Sequence, residues 1–285
     1  MYTTLISTAQ LQELMQQAAP LLVFDCSFEL MKPQSGEAQY QEGHITQALR
    51  ADLERHLSVH GATPAASGGR HPLPTREAFA NWLGNSGLRS DTQVVVYDRQ
   101  GANYSGRLWW MLKWVGHEAV AVLDGGLQAW QASGGATETG VGRTPAPWPY
   151  QVSEALVELV DAPALLAQLG RPTQTVLDAR AAPRFKGEVE PLDPVAGHIP
   201  GALNRVFTSN LDAQGFFKPA AQLRAEFDAL LAGHSAQGVV HHCGSGVSAL
   251  PNLIAMEVAG LGRGALYAGS WSDWCSDPSR PVAQG

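Results

Sequence analysis

The chain has 285 residues, 45% of them apolar and 16% charged, with a formal net charge of −7 and a pI near 5.7. That length exceeds what one hydrophobic core usually holds, so two domains are expected. The acidic balance excludes a nucleic-acid ligand, which needs clustered Lys and Arg to displace counterions, and no apolar run approaches the roughly 18 to 20 residues of a membrane span.

From the N-terminus, MYTTLISTAQLQEL carries no basic residue ahead of its first apolar stretch and reads as an amphipathic helix rather than a signal peptide. LLVFDCSFE and Val94 to Val96 of TQVVVYD are short apolar runs suited to buried strands. Trp109, Trp110 and Trp114 follow at helical spacing and read as core and domain interface. Residues 137–152, rich in Gly, Thr and Pro without apolar periodicity, read as a linker between an N-terminal domain at 1–136 and a C-terminal domain at 153–285. Further on, Leu223, Phe227, Leu230 and Leu231 share a helical face. Pro251 is tolerated only in a first helical turn, which places a helix start near Ser248 or Ala249.

The two halves repeat one order of motifs. Asp25 corresponds to Asp178, Gly43-His44-Ile45 to Gly197-His198-Ile199, Asp98 to Cys243, and Gly125 to Gly269. Short β-branched runs alternate with helical patterns in each half, the signature of parallel βα units with helices on both faces of a sheet. The fold class is therefore α/β, as two tandem copies. Because His44 and His198 occur in both copies, they are read as structural hydrogen-bonding residues of the turn. His241 and His242 are strand neighbours pointing to opposite faces, one packed and one partly exposed.

The copies differ at one strand end, where the first offers Asp98 and the second offers Cys243. Ligands of open parallel sheets bind at the carboxyl ends of strands, where the next helix presents unpaired N–H groups. Gly244, Ser245, Gly246, Val247 and Ser248 can curl there into a cradle of inward-facing N–H groups, which stabilises a thiolate and an anionic sulfur attached to it. Cys243 is thus read as a nucleophile. Cys26 and Cys275 are read as small buried hydrophobes. The three cysteines are widely spaced and lack a CxxC pair, so neither disulfides nor a structural zinc site is suggested, and a reducing cytoplasm is the expected compartment.

These residues carry a resemblance. The GHI segments of both halves, DGG in the first, YAGSWSDW in the second and the loop CGSGVSA resemble the rhodanese superfamily of two-domain sulfurtransferases, in which an inactive N-terminal domain precedes an active C-terminal one. The loop resembles the CGSGVTA form of 3-mercaptopyruvate sulfurtransferases, with Ser248 for threonine; thiosulfate-using relatives more often carry a basic loop such as CRKGVTA. Phosphate-cleaving relatives close a longer loop with arginine, where this chain has Ala249.

The resemblance implies that Cys243 takes sulfur from 3-mercaptopyruvate as a persulfide and passes it to a thiol acceptor such as thioredoxin, or to cyanide, without metal or organic cofactor. Thiosulfate is the alternative donor, and a sulfur carrier or binding module with little turnover is the alternative of another class. The resemblance also implies a relay of Ser245 with His71, from GGRHPLP, and an acidic residue at Glu54, where many relatives have Asp. Arg184 matches a family arginine that reaches the anionic end of the donor. A second arginine often follows shortly after, but EVEPLDPVAG has Leu192 near that place, which predicts weaker carboxylate binding unless another cation substitutes.

Overall fold

The computed structural model of the protein describes residues 1–17 and 19–285. The chain forms two compact units. The first comprises Met1–Pro64, Pro74–Leu156 and Ala213–Phe216, and the second Ala65–Leu73, Val157–Asp212 and Phe217–Gly285. The short segment around His71, early in the chain, therefore belongs to the second unit.

In the first unit the strands are β1 (Leu5–Ile6), β2 (Leu21–Asp25), β3 (His44–Ile45), β4 (Leu49–Arg50), β5 (Gln93–Tyr97), β6 (Val120–Leu123) and β7 (Thr137–Glu138). Five of them make a parallel sheet in the order β1-β6-β5-β2-β4. β2 and β5 run in register from Leu21 opposite Gln93 to Asp25 opposite Tyr97, and all but their first residues are buried, as expected for strands covered on both faces. The flanking helices are α1 (Thr8–Gln16), α2 (Ser35–Glu42), α3 (Arg76–Asn85), α4 (Ser105–Trp114) and α5 (Gly126–Ala132).

Two local features differ from the sequence reading. The N-terminal segment begins with β1 before its helix, which starts where Ser7 and Gln10 form a reciprocal capping box. Within the stretch read as a linker, β7 pairs antiparallel with β3, and the Glu138 carboxylate accepts the Gln47 amide at 2.8 Å. The tryptophans of α4 are core: Trp109 and Trp110 are wholly buried, and Trp110 stacks on Trp114.

The second unit has β8 (Thr175–Asp178), β9 (Leu203–Asn204), β10 (Val239–His242) and β11 (Ala265–Leu266) in the parallel order β11-β10-β8-β9. Its helices are α6 (Ala162–Ala167), α7 (Ala182–Phe185), α8 (Ala220–Leu231), α9 (Leu250–Val258) and α10 (Ser270–Trp274). Val176, Val240, Tyr267, Trp271 and Trp274 anchor its core. α9 begins at Leu250 with Ala249 as its cap, so Pro251 sits in the first turn where its missing N–H costs nothing.

His241 and His242 are both fully buried, so the expectation of one partly exposed residue is corrected: β10 lies inside a sheet covered on both faces. The GHI histidines behave as turn residues. The Nδ1 of His44 bonds the Tyr40 carbonyl at 2.7 Å and its ring stacks on Tyr40, while the Nδ1 of His198 bonds the Phe185 carbonyl at 2.9 Å and its ring stacks on Phe185. Cys26 and Cys275 are buried free thiols whose pKa values burial pushes up. No described helix is long and apolar enough to cross a membrane.

Candidate active site

Cys243 immediately follows β10, at the carboxyl end of an interior strand, and is 2% exposed. The backbone there is clasped from one side. The Cys243 amide donates to the Ser270 hydroxyl at 3.1 Å, which itself donates to the Tyr267 carbonyl. The amides of Trp271 and Ser272 donate to the carbonyls of Cys243 and Gly244, each at 2.9 Å. With these carbonyls tied to the start of α10, the loop amides turn the other way. Gly246 makes the bend possible: its φ is +73°, and a Cβ there would collide with the Ala268 carbonyl oxygen.

The consequence is a row of buried donors. The amides of Gly244, Ser245, Val247, Ser248 and Ala249 donate to no backbone or side-chain acceptor among the described residues, although all but Ser248 are buried. Buried N–H groups without partners are rare and expensive in folded proteins, so a run of them marks a place built for an anion.

The first unit shows the same loop with its anion built in. There Asp98, following β5, is 2% exposed, and its carboxylate accepts the amides of Gln100, Ala102, Tyr104 and Ser105 at 2.8–3.1 Å, together with the Ser105 hydroxyl. A permanent carboxylate satisfies the donors and leaves no nucleophile. In the copy with Cys243 the corresponding donors have no such built-in acceptor among the described residues.

Ser245 and His71 meet inside the second unit, with the Nδ1 of His71 2.7 Å from the Ser245 hydroxyl oxygen and both residues buried. Arg184 lies on α7. Its Nη2 donates to Glu190 at 2.6 Å and to Asp193 at 3.2 Å, and its Nε donates to the other Glu190 oxygen. Glu54 lies in the first unit, where its carboxylate pairs with the Nε2 of His60 at 2.6 Å, and its part in the chemistry rests on the resemblance.

Sequence reasoning missed four contributors. Arg70, adjoining His71, donates to the second oxygen of Asp193 at 2.7 Å. Glu190 and Asp193, from the segment expected to supply a second cation, supply buried carboxylates instead; Glu190 also accepts the amides of Leu192 and Asp193, which curls the segment around the Arg184 guanidinium. Ser270, held at φ +56°, accepts the amide of Cys243. Beneath the loop, Asp178 is buried against Arg180 and His242. Burial alone would raise its carboxyl pKa, but His242 and the Arg180 guanidinium hold it below the usual range.

The profile of the rhodanese-like domain matches residues 7–133 and again 161–277. The chain belongs to the rhodanese family. Within this family it is 49% identical to a probable 3-mercaptopyruvate sulfurtransferase of Pseudomonas aeruginosa, over 98% of this chain and all of the relative. It is 40% identical to a putative thiosulfate sulfurtransferase of Mycobacterium tuberculosis, over 99% of this chain and 97% of the relative. Among solved rhodanese structures, SseA of Escherichia coli, described as a 3-mercaptopyruvate sulfotransferase, superposes with a TM-score of 0.79 at 30% identity, covering 95% of this chain and all of that one. The relatives are named for two different donors, so the choice between donors is an argument about this site.

Proposed function

We propose that this rhodanese protein is a 3-mercaptopyruvate sulfurtransferase working through a persulfide on Cys243. The observation that carries the reading is the row of unpartnered amides in the loop that follows this thiol. In the first half-reaction the Cys243 thiolate attacks the thiol sulfur of 3-mercaptopyruvate. The new S–S bond forms as the C–S bond breaks, and the electron pair of that bond passes into the pyruvate enolate. The proton lost by Cys243 ends on the pyruvate methyl group, and the donor's own S–H proton stays on the persulfide or leaves to solvent, so no external oxidant or reductant is required.

Ser245 and His71 serve the proton transfer. With the His71 proton on Nε2, Nδ1 accepts the Ser245 O–H, and the pair can move a proton to or from the enolate through the hydroxyl. The loop amides stabilise the thiolate beforehand and the persulfide anion afterwards. In the second half-reaction a thiol, or cyanide, attacks the outer sulfur and restores the thiolate; with cyanide the product is thiocyanate. A protein thiol such as thioredoxin is the proposed acceptor class.

The charges around the loop favour this donor over thiosulfate. Arg70, Arg180 and Arg184 are matched by Asp178, Glu190 and Asp193, so the cluster offers directed hydrogen bonds without net positive charge. Such a site suits the single charge of a carboxylate, whereas the thiosulfate dianion requires excess cation. The test compares kcat/KM for the two donors with cyanide as acceptor, alongside mass spectrometry after a brief exposure to donor. The expected result is a preference for 3-mercaptopyruvate and one sulfur atom gained, which Cys243→Ser abolishes. A preference for thiosulfate would reverse the donor assignment, and no sulfur gained with either donor would leave a binding module.

A further inference from the structure

Leu192 stands where a second cation was expected, and a lone Arg184 gives a carboxylate only one fork to hold. The structure nevertheless carries two guanidinium groups to the same point. A side chain built on Gly244 would place its Cβ 3.3 Å from Nη2 of Arg70 and 3.4 Å from Nη1 of Arg184.

Neither nitrogen is spent on a carboxylate. Arg70 uses Nη1 on Asp193, and its buried Nε has no partner among the described residues. Arg184 uses Nε and Nη2 on Glu190 and Asp193. Asp193 takes one guanidinium on each oxygen and is itself 4% exposed in its side chain, so it holds the two arginines side by side. The carboxylates occupy Nη1 of Arg70 and the Nε and Nη2 of Arg184, and leave Nη2 of Arg70 and Nη1 of Arg184 facing one place next to the nucleophile. Gly244 has an ordinary φ, so its lack of a side chain meets no backbone demand; it leaves this place open.

We propose that Arg70 and Arg184 form a two-armed clamp for the carboxylate of a 2-oxo acid donor, with Gly244 leaving room for it and Asp193 as the positioning residue. Arg70 thus substitutes, from a distant part of the chain, for the cation that Leu192 cannot provide. The inference rests on the proposed function for the identity of the donor, but the clamp itself is a carboxylate site with its own readout.

The test uses the full-length protein with Arg70→Gln, Arg70→Lys, Arg184→Gln and Gly244→Ala, and pyruvate as the probe of equilibrium binding by calorimetry. Loss of a charge-assisted hydrogen bond is expected to weaken pyruvate binding about tenfold or more in Arg70→Gln and to raise KM for 3-mercaptopyruvate by a similar factor, with kcat within about threefold. Arg70→Lys keeps the charge but not the planar fork, and its effect falls between those of the parent and Arg70→Gln. Gly244→Ala sets a methyl group between the two nitrogens and weakens pyruvate without any change to either arginine, which keeps the test open if an arginine variant folds poorly. Pyruvate affinity and KM unchanged within about twofold in Arg70→Gln, or unchanged in Gly244→Ala, would overturn the clamp. A parent protein that gains no sulfur from 3-mercaptopyruvate instead sinks the donor assignment, and the pyruvate measurement still reads the clamp.

Discussion

Ser245→Ala separates the two sulfur donors by the chemistry of their leaving groups. The hydroxyl lies 2.7 Å from the Nδ1 of His71, with the serine 6% and the histidine 2% exposed, so bulk water is a poor substitute for either partner. With 3-mercaptopyruvate the leaving group is an enolate that must gain a proton on carbon, and a positioned acid–base pair contributes typically about 10²- to 10⁴-fold to such a step. At about 1.4 kcal/mol per factor of ten, that corresponds to roughly 3–5 kcal/mol of transition-state stabilisation. With thiosulfate the leaving group is sulfite, which departs with its electron pair and needs no proton, so turnover is expected to stay within about threefold.

The substitution also removes one buried hydrogen bond, a stability cost of about 1–3 kcal/mol, and this cost is common to both donors. The assay is therefore the ratio of kcat values for the two donors in parent, Ser245→Ala and Ser245→Thr, with cyanide held saturating. Ser245→Thr retains the hydroxyl and should retain much of the ratio. Equal losses with both donors in Ser245→Ala would remove the relay from the mechanism and reduce Ser245 to a packing role.

Two further substitutions test the frame around Cys243. Gly246→Ala forces a side chain into the left-handed region and against the Ala268 carbonyl; an unfolding free energy from chemical denaturation lowered by at least about 1–2 kcal/mol, with loss of persulfide formation, is expected, and a stable, active variant would show that the bend does not depend on glycine. His241 is buried, both its ring nitrogens lack a partner among the described residues, and burial, helped by His242, pushes its pKa down from 6.5 to about 3. Between those two pH values the unfolded chain binds a proton that the folded chain refuses, so the stability is fully present above pH 6.5 and is lost as the pH falls, by at most about 1.4 kcal/mol per pH unit. His241→Leu should flatten this acid limb in unfolding measurements from pH 7 to 4, and an unchanged slope would place the acid sensitivity elsewhere.

Much of the site could be read from residue order because its signals are local. The glycines of CGSGVSA, the proline one turn into α9 and the apolar run of β10 each report on a few consecutive residues, and the second copy of the pattern supplied the contrast between Asp98 and Cys243. Strands of two residues, such as β1 and β7, are too short to carry a period, and their pairing is decided by backbone partners far along the chain. The burial of both His241 and His242 also depends on what covers each face of the sheet, which strand alternation alone does not state.

Residue order by itself determined the tandem α/β architecture, the candidate nucleophile and the loop that follows it, since hydrophobic period, glycine and the contrast of Asp98 with Cys243 are properties of short segments. Only the tertiary structure decided where the charges go. Arg70 and Asp193 are 123 residues apart in sequence, yet their ion pair aims one arginine beside another at Gly244, while the segment expected to bring a cation brings the carboxylates that hold both. The physical reason is that guanidinium groups are long, flexible and always charged, so their direction is set by the partners that folding places around them.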